Sequence, residues 1–484
     1  MQTRTRDNLY ICPGETHPIA RAVHLARLAA FFPACRDCPF RGDTAQLAKQ
    51  TVERLQSTQK RVERKSLVTA DGIRGRYLNE INRKKAEDFA AALARNLWRQ
   101  SPLVGHLDAG KRRNRRNGPA VVVGHDERTS SPDIVTGVVS ALRRMGCTVT
   151  DISLCTEPCF RFTVDHLKAA AGVYVTGAGH DPSWTGLDFV TAGAIPVSSC
   201  GDFGEVGRGL DRSSASTLPQ PLPGREGGSN ENILTLEALA RGVHQPHGRP
   251  TRQAGSHRLF QAAIPYEASL LKHFHALRPL RVALGCSSRP VRETVARLFG
   301  GLPCLIVPVE IPDRARSVVE PSDADVRRVA TSVQENTADL GVLIDHDGSR
   351  CAFLDEEGAL VSPATITTLI AELVLAEHPG STIIVETSAL DALRPAIEER
   401  GGKCLDAGRT QAELATTMRA EQAVFGGCTS GQYWFGEAFP SSDAILTLAR
   451  VLEALSRTDA PFSRVVQLAF EPASLLTSAD ATSD

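Results

Sequence analysis

The chain has 484 residues, a length typical of three or four domains, and 42% of them are apolar, which is enough for several hydrophobic cores. Its 55 lysine and arginine residues balance its 55 aspartate and glutamate residues, so the overall charge favours neither a nucleic-acid partner nor an acidic one. The sequence has no apolar run long enough to span a membrane and no signal-peptide pattern, and its 12 cysteines are scattered. We therefore expect a cytoplasmic protein with reduced thiols and no disulfide framework.

Residues 1–45 predict a small module built around cysteine and histidine. Cys12 precedes an expected amphipathic helix over residues 18–32, and Cys35 and Cys38 follow that helix directly. The C-x₂-C spacing is typical of a zinc knuckle, and a segment this small needs a metal or another cross-link to hold its fold. We expect one zinc ion here. The alternative is a docking helix accompanied by three free cysteines.

Three cysteines and one histidine are the predicted zinc ligands. They are Cys12, Cys35, Cys38 and one of His17 and His24. His17 is preferred because Pro13 and Gly14 form a turn that brings it back towards Cys12. The module also offers a surface on which a protein partner would dock.

Three α/β domains are predicted after a charged helical linker over residues 46–65. From residue 66 to about residue 201, apolar strands alternate with helices, which indicates a mainly parallel sheet covered by helices. The same alternation predicts a second domain over residues 256–361 and a third over residues 362–457. The expected strands are residues 120–123, 172–176, 280–284, 304–309, 340–344 and 382–386, and the expected helices are residues 132–145 and 443–455.

Other segments are expected to lie outside these domains. Residues 202–255 are rich in Gly, Ser, Pro and Arg and predict a flexible linker. Residues 458–484 form a tail that is too short for a further domain, and its polar composition predicts disorder. The basic cluster Lys111–Arg116 is interpreted as a solvated loop, because a nucleic-acid footprint would spread along one face.

An acidic loop follows the strand predicted over residues 340–344. Asp345 and Asp347 are two residues apart in an extended segment, so their side chains share a face. Two carboxylates so placed suit Mg²⁺, a cation that is useful where phosphate charge must be held. The alternative interpretation is a solvated acidic turn.

Five segments, in this order, resemble the motifs of the α-D-phosphohexomutase superfamily of phosphomannomutases, phosphoglucomutases and phosphoglucosamine mutases. They are Thr69–Gly75 (family pattern T-D-G-I-R-G), Val121–Ser131 (G-R-D-x-R-x-S-S), Thr176–Pro182 with Thr185–Leu187 (T-A-S-H-N-P and N-G-x-K), Asp345–Arg350 (D-G-D-A-D-R) and Gly426–Gln432 (G-G-E-x-S-G-H). The resemblance covers residues 66–457. It implies three consecutive, topologically similar α/β domains whose loops meet in a central cleft.

The resemblance also implies interconversion of hexose 1-phosphates and 6-phosphates through a phosphorylated serine, with Mg²⁺. Aligned on His180 and Pro182, that serine falls on Gly179, which has no heteroatom to act as a nucleophile. The nearest hydroxyls are those of Thr176 and Ser183, so a relocated phosphoryl donor is one alternative.

Two further motifs differ from the family pattern. Ser349 replaces the third aspartate of the metal loop, so Mg²⁺ binding would be weak and would depend on a ligand phosphate. Cys428 replaces the glutamate that accepts hydrogen bonds from sugar hydroxyls, and a thiol is a poor acceptor. Gln432 replaces a histidine. The chain after residue 457 is too short for the family's fourth domain, which holds the substrate phosphate.

The predicted site therefore combines retained and altered groups. It contains Gly179, His180, Arg74 and Arg128 at catalytic positions, Ser430, Gly431, Cys428, Gln432 and Arg350 at the substrate, and Asp345, Asp347 and Ser349 at Mg²⁺. Arginine forks suit phosphate groups. We expect a phosphohexomutase-family protein that binds a sugar phosphate but has lost or weakened mutase activity. The alternatives are an active mutase with a relocated donor and an interaction protein that acts through its zinc module.

Overall fold

The computed structural model describes residues 9–12, 17–30, 32, 35, 38–44, 47–52, 66–100, 118–180, 182–199, 234–245, 248, 251, 253–312, 322–408, 410–437 and 439–470. The chain divides into two compact units, Met1–Ser66 and Leu67–Asp484. The predicted turn near Cys12, most of the predicted helical linker, the basic cluster, most of the predicted flexible linker and the end of the tail lie outside the described residues.

The described part of the N-terminal unit includes a two-stranded sheet and a helix that follows it. Strands β1 (Leu9–Tyr10) and β2 (Ile19–Ala20) pair in antiparallel fashion, and helix α1 (Arg21–Ala29) follows directly. One face of α1 is buried and includes His24. The helix predicted over residues 18–32 was too long, because pairing with β1 holds β2 in an extended conformation that a helix excludes.

The second unit contains three sheets that repeat one strand order. The first sheet contains β3 (Ile73–Arg76), β4 (Ala120–His125), β5 (Thr148–Leu154), β6 (Ala171–Val175), β7 (Trp184–Thr191) and β8 (His257–Leu259); the second contains β9 (Arg281–Gly285), β10 (Leu305–Val309), β11 (Leu340–Ile344), β12 (Cys351–Leu354) and β13 (Leu360–Val361); the third contains β14 (Thr382–Val385), β15 (Lys403–Asp406), β16 (Phe425–Gly427), β17 (Tyr433–Phe435) and β18 (Ser441–Ser442).

The repeat is visible in the order and direction of the strands. The second and third sheets have the orders β10-β9-β11-β12-β13 and β15-β14-β16-β17-β18, with two parallel pairings followed by two antiparallel ones. The first sheet has the corresponding order β5-β4-β6-β7-β3, with β8 added beside β5. The prediction of three consecutive, topologically similar α/β domains is confirmed.

Helices cover these sheets. They are α2 (Arg83–Gln100), α3 (Ser131–Arg144), α4 (Glu157–His166), α5 (Leu236–Val243), α6 (Ala263–Leu271), α7 (Arg289–Phe299), α8 (Asp323–Glu335), α9 (Pro363–Glu377), α10 (Leu390–Glu399), α11 (Gln411–Ala420), α12 (Ala444–Ser456) and α13 (Phe462–Phe470). Side chains of Thr156, Ser362 and Asp443 cap α4, α9 and α12 by accepting backbone N–H groups of the first turn. The strands and helices predicted for the three domains agree with the observed ones to within two residues at each end.

Part of the predicted flexible linker over residues 202–255 is folded into the first domain. Helix α5 packs against α2, and its Leu236 and Leu239 are buried in the same core as the first sheet. Strand β8, which was expected to belong to the second domain, pairs in parallel with β5. The apolar face of α5 holds this segment against the first domain. The Gly, Ser and Pro residues around α5 had indicated a flexible linker instead.

The tail after residue 457 also contains an ordered element. Helix α13 packs against α9, with the Phe462 side chain only 1% exposed. Residues 462–470 are therefore helical rather than disordered, because one buried aromatic side chain supplies a large apolar contact. None of the described helices has both the length and the apolar composition needed to cross a membrane.

The first sheet contributes to two cores. Val121 and Val123 face the core shared with α2 and α3, whereas Val122 faces a larger core that also contains α4 and the second and third sheets. This alternation follows from the two-residue period of a strand. The shared core fixes the three domains around the ends of their central strands.

Candidate functional site

The candidate site lies where three equivalent strands end. β6, β11 and β16 occupy the same place in their sheets, and each continues through a loop into an antiparallel strand. Their loops meet at a cleft of about 640 Å³. Its lining includes Arg74, Gly179, His180, Asp345, Asp347, Ser349, Arg350, Ser430 and Gly431. Such strand ends are where α/β proteins place ligands.

The loop after β6 carries no hydroxyl between Gly177 and His180. Gly179 has a φ of +75°, in the left-handed region that favours glycine. Thr176 is buried at the base of the loop, where its Oγ1 accepts a hydrogen bond from the Ala178 N–H at 3.0 Å. Ser183 is exposed outside the cleft. The loop therefore presents backbone and an imidazole to the cleft, with the buried Thr176 at its base also part of the lining.

Contacts on several sides hold the imidazole of His180. Its ring stacks on Trp184 with centroids 4.3 Å apart, and its Nδ1 lies 3.0 Å from the Ala178 carbonyl oxygen. Arg128, predicted at a catalytic position, donates to the carbonyl oxygens of His180 at 2.9 Å and Trp184 at 3.3 Å, and to Asp126 at 3.1 Å. In the structure Arg128 thus positions the loop and does not line the cleft.

The acidic loop after β11 is closed by its own hydrogen bonds. Asp345 Oδ1 accepts the backbone N–H of Ser349 at 2.9 Å and that of Arg350 at 3.2 Å. The Ser349 hydroxyl lies 3.4 Å from Asp345 Oδ2. Asp345 is therefore partly compensated by donors of its own loop.

Helices of the first and third domains clamp this loop from both sides. The first residue of α4, Glu157, donates its N–H to the Asp347 carbonyl oxygen at 3.1 Å. The first residue of α12, Ala444, donates its N–H to the Gly348 carbonyl oxygen at 3.0 Å. Two helix N-termini thus fix the backbone of the acidic loop.

Asp347 is less compensated than Asp345. Its Oδ1 is buried and has no hydrogen-bond partner among the described residues. Burial raises the pKa of this carboxyl well above its ordinary value, and the charges of Asp345, Asp126 and Glu157 raise it further. Burial also raises the pKa of Glu157 to about 7, against the opposing effect of Arg161. This wall of the cleft concentrates negative charge that a cation would stabilise.

A carboxylate already binds Arg74 on the opposite wall. Its two terminal nitrogens contact the two carboxylate oxygens of Asp188 at 2.5 and 2.8 Å, and its side chain is 7% exposed. Burial raises the pKa of Asp188, whereas Arg74 lowers it. A phosphate bound at Arg74 would compete with Asp188 for the same guanidinium.

The loop after β16 places the Ser430 hydroxyl at the cleft, whereas the Cys428 thiol lies inside the protein. Ser430 and Gly431 line the cleft. Cys428 is buried, and burial raises the pKa of its thiol to about 12. Gln432 is also buried and forms a β-bridge with Arg350. Cys428 and Gln432, both predicted at the substrate, therefore pack within the protein.

Four carboxylates of the cleft were not predicted from the sequence, namely Asp71, Glu157, Asp188 and Asp323. Glu157 had a usable signal, because Thr156-Glu157-Pro158 after a strand is a typical helix start and places the glutamate at a strand end. Asp71 lies within the motif segment Thr69–Gly75. Asp188 lies inside β7, and no local pattern distinguishes it.

In the N-terminal unit, the structure brings predicted metal ligands together. Cys12, His24 and Cys38 are buried, and their ligand atoms lie within 4.8 Å of one another. Cys35 is buried as well. The preference for His17 is corrected, because His17 is exposed and outside this group, whereas α1 turns His24 inward.

Comparison with known proteins identifies the family of the chain. Residues 65–200 match the family domain described as phosphoglucomutase/phosphomannomutase, alpha/beta/alpha domain I, and residues 362–472 match domain III of the same family. These two matches together cover about half of the chain.

Individual relatives agree with this result. Phosphohexose mutases of Xanthomonas campestris are 25% identical over 401 residues, which make up 82% of this chain and 78% of the relative. The phosphomannomutase/phosphoglucomutase of Pseudomonas putida is 26% identical over 348 residues, or 70% of this chain and 67% of the relative. The crystal structure of a phosphoglucomutase/phosphomannomutase family protein from Burkholderia thailandensis has the same fold, with a TM-score of 0.67, 22% identity, and coverage of 83% of this chain and 79% of that one.

The repeated α/β sheets around a shared cleft define the class of protein as one with a phosphohexomutase fold. The chain belongs to the α-D-phosphohexomutase superfamily.

Proposed function

We propose that this protein binds a hexose phosphate in the cleft and transfers phosphoryl groups weakly or not at all. The observation that carries the proposal is the loop after β6. A left-handed glycine, Gly179, stands where the motif resemblance puts the family's phosphoserine. Glycine has no nucleophilic atom, so the covalent step of the family reaction has no donor there.

The neighbouring hydroxyls do not supply a substitute. Thr176 lines the cleft, but its side chain is buried and its Oγ1 already accepts the Ala178 N–H, and Ser183 is exposed and does not line the cleft. In-line transfer requires the donor oxygen at a defined position, and a displacement of about 1 Å costs on the order of 100-fold in rate. The arrangement therefore favours binding without transfer over a relocated donor.

Ligand binding is supported by the size and the lining of the cleft. A volume of about 640 Å³ is ample for a hexose phosphate. Arg350 and His180 offer cationic or hydrogen-bonding groups, and Ser430 offers a hydroxyl on the side of the third domain. These groups suit one phosphate and several sugar hydroxyls.

The acidic wall fits Mg²⁺ that is bound together with a ligand. Asp347 Oδ1 is buried without a partner among the described residues, and Asp345 lies on the same loop. Ser349 adds no charge at the third position, so the protein alone offers two carboxylates. Mg²⁺ often rests on one or two carboxylates plus a substrate phosphate, whose charge it neutralises. Metal and sugar phosphate should therefore strengthen each other's binding by the same factor.

Calorimetry tests this proposal directly. Glucose 6-phosphate should bind more tightly with Mg²⁺ than with EDTA, and Asp347→Asn should remove this difference. Asp391→Asn is the matched control, because Asp391 is exposed on α10 and its substitution removes the same charge. An affinity that is independent of both Mg²⁺ and Asp347→Asn would show that the acidic loop is not part of the binding site.

A further inference from the structure

We propose that the N-terminal unit holds one Zn²⁺ ion through Cys12, His24, Cys35 and Cys38, and that this closed site stabilises the fold of the unit. The proposal is independent of sugar-phosphate binding, because it concerns residues of the other compact unit. It also exchanges the histidine that the sequence favoured for the one that the structure buries.

The distances among three of these side chains match a tetrahedral metal site. The ligand atoms of Cys12, His24 and Cys38 lie within 4.8 Å of one another, and Cys12 Sγ is 3.4 Å from His24 Nδ1. Zinc binds sulfur at about 2.3 Å and imidazole nitrogen at about 2.0–2.1 Å, so tetrahedral geometry places such a sulfur and nitrogen about 3.5 Å apart. The Cys12–His24 pair therefore already has the spacing of two ligands of one zinc ion.

Local structure explains why these residues meet. Cys12 follows β1, and His24 lies on the buried face of α1. After α1, a turn in which the Cys38 N–H donates to the Cys35 carbonyl oxygen at 3.4 Å holds the two cysteines together. Three separate segments thus converge on one point, as the ligands of a zinc knuckle do.

Cys35 is the fourth proposed ligand, although it lies outside the group of three whose ligand atoms are within 4.8 Å of one another. Its side chain is 5% exposed, and the backbone hydrogen bond from Cys38 to its carbonyl oxygen holds it next to that group. Three thiolates and one imidazole saturate a tetrahedral ion and leave no position for water, which is the arrangement of structural zinc rather than catalytic zinc.

His24 supplies an independent observation. Its side chain is 0% exposed, and its Nε2 has no hydrogen-bond partner among the described residues. Its ring stacks on Tyr10 with centroids 4.5 Å apart and planes 9° apart, which fixes the orientation of the imidazole. A buried imidazole with an unsatisfied nitrogen is costly as mere packing. Zinc bound at Nδ1, the nitrogen that faces Cys12, would account for a fully buried imidazole at this place, whereas Nε2 would stay without a partner among the described residues.

The apolar core formed by the described residues of the unit is small. Among them, the buried cluster consists of Leu25, Leu28 and Cys35, with Leu47 packed against it. Small units with so little buried apolar surface rely on a disulfide or a metal. All four ligand side chains would be joined by the ion, which ties β1, α1 and the following turn together.

Metal analysis of the full chain, purified without a polyhistidine tag and dialysed against metal-free buffer, tests the proposal. We expect about one zinc ion per chain. Cys38→Ser and His24→Gln should lower the zinc content at least about tenfold. The matched controls, Cys404→Ser and His17→Gln, should keep it. Zinc that survives both ligand substitutions, or iron in place of zinc, would overturn the assignment.

Cobalt substitution keeps the test independent of whether the variants fold. Unmodified protein loaded with Co²⁺ after zinc removal should show the intense visible bands of a tetrahedral ion and the thiolate charge-transfer bands of sulfur ligation. Addition of one equivalent of Zn²⁺ should abolish both. Weak bands typical of an octahedral ion, or no binding of either metal by protein whose cysteines titrate as free thiols, would refute the site.

Discussion

The loops after β6 and β11 leave equivalent strands of two repeated sheets, enter the same cleft, and differ in their chemistry. Both are held from outside: Arg128 binds the carbonyl oxygen of His180, and α4 and α12 bind the backbone of the acidic loop. The first loop presents Gly179 and an imidazole, whereas the second presents Asp345 and Asp347. In these two loops, contacts to backbone atoms set the position of the loop. The chemistry is set by a few side chains that take no part in those contacts.

The largest expected effect concerns catalysis at the loop after β6. The unmodified protein should show no phosphoglucomutase or phosphomannomutase turnover above background. Gly179→Ser should not rescue it, because a φ of +75° disfavours serine and because Ser349 and Cys428 are unchanged. The measurement is a coupled assay of glucose 1-phosphate conversion in the presence of glucose 1,6-bisphosphate, with an active phosphoglucomutase as the positive control.

Two results would contradict the expected absence of mutase turnover. One is robust turnover by the unmodified chain that Asp345→Ala abolishes. The other is a phosphoryl adduct, found by intact-mass analysis and mapped to Thr176 or Ser183, which would establish a relocated donor.

The second effect concerns the charge that α4 brings to the acidic loop. Burial raises the pKa of Glu157 from its ordinary value to about 7, so the folded state retains a proton that the unfolded chain releases above about pH 4.5. Wild-type stability should therefore fall as the pH rises from about 4.5 to about 7. Glutamine does not titrate, so Glu157→Gln should not lose stability in this way. Its free energy of unfolding relative to wild type should therefore rise by on the order of 3 kcal/mol from about pH 4.5 to about pH 7.

Thermal unfolding in EDTA across this pH range measures the difference. Glu398→Gln is the control, since it makes the same substitution in an exposed pair with Arg394 on α10. Parallel curves for wild type and Glu157→Gln would show that Glu157 titrates normally.

The third effect concerns steric crowding in the loop after β6. A Cβ atom added at Gly177 would lie 2.5 Å from the Trp184 carbonyl oxygen and 2.7 Å from Arg128 Cζ. Gly177→Ala should therefore destabilise the protein by about 1–3 kcal/mol and weaken glucose 6-phosphate binding, because it displaces the loop that carries His180.

Gly301→Ala provides the matched control, because a Cβ atom at Gly301 would have no neighbour within 4 Å. Its effect on the free energy of unfolding should be small, on the order of 0.5 kcal/mol or less, and its melting temperature should stay close to that of wild type. Equal melting temperatures for both variants would mean that the loop after β6 moves freely.

The smallest effect tests the acidic loop alone. Asp347→Asn should raise the melting temperature in EDTA at pH 8 by the equivalent of about 1–2 kcal/mol, because it removes a buried charge whose pKa is raised by burial and by its neighbours. The same variant should lose the additional stability that Mg²⁺ and glucose 6-phosphate give together to wild type. A lower melting temperature in EDTA would mean that the ionised Asp347 is compensated in solution.

Local patterns in the sequence were sufficient for two of the three strands whose loops meet at the cleft. The apolar run before Asp345 predicted β11 with its observed ends, and the apolar runs at residues 120–123 and 172–176 placed β4 and β6 to within two residues, whereas β16 was not predicted. A short apolar run bounded by turn residues and rich in β-branched side chains favours a buried strand. The order of five motifs then predicted three domains of the same kind, with the polar loops at one cleft.

Tertiary structure alone decided which way several side chains face. Arg128 turns to the loop after β6, Cys428 turns into the third domain, and His24 rather than His17 turns towards the cysteines. It also decided that α5 docks on α2 and that β8 extends the first sheet. Each of these outcomes depends on contacts between segments far apart in the chain. The spacing of residues within one segment contains no information about such contacts, since the surface that each segment meets is created only by folding.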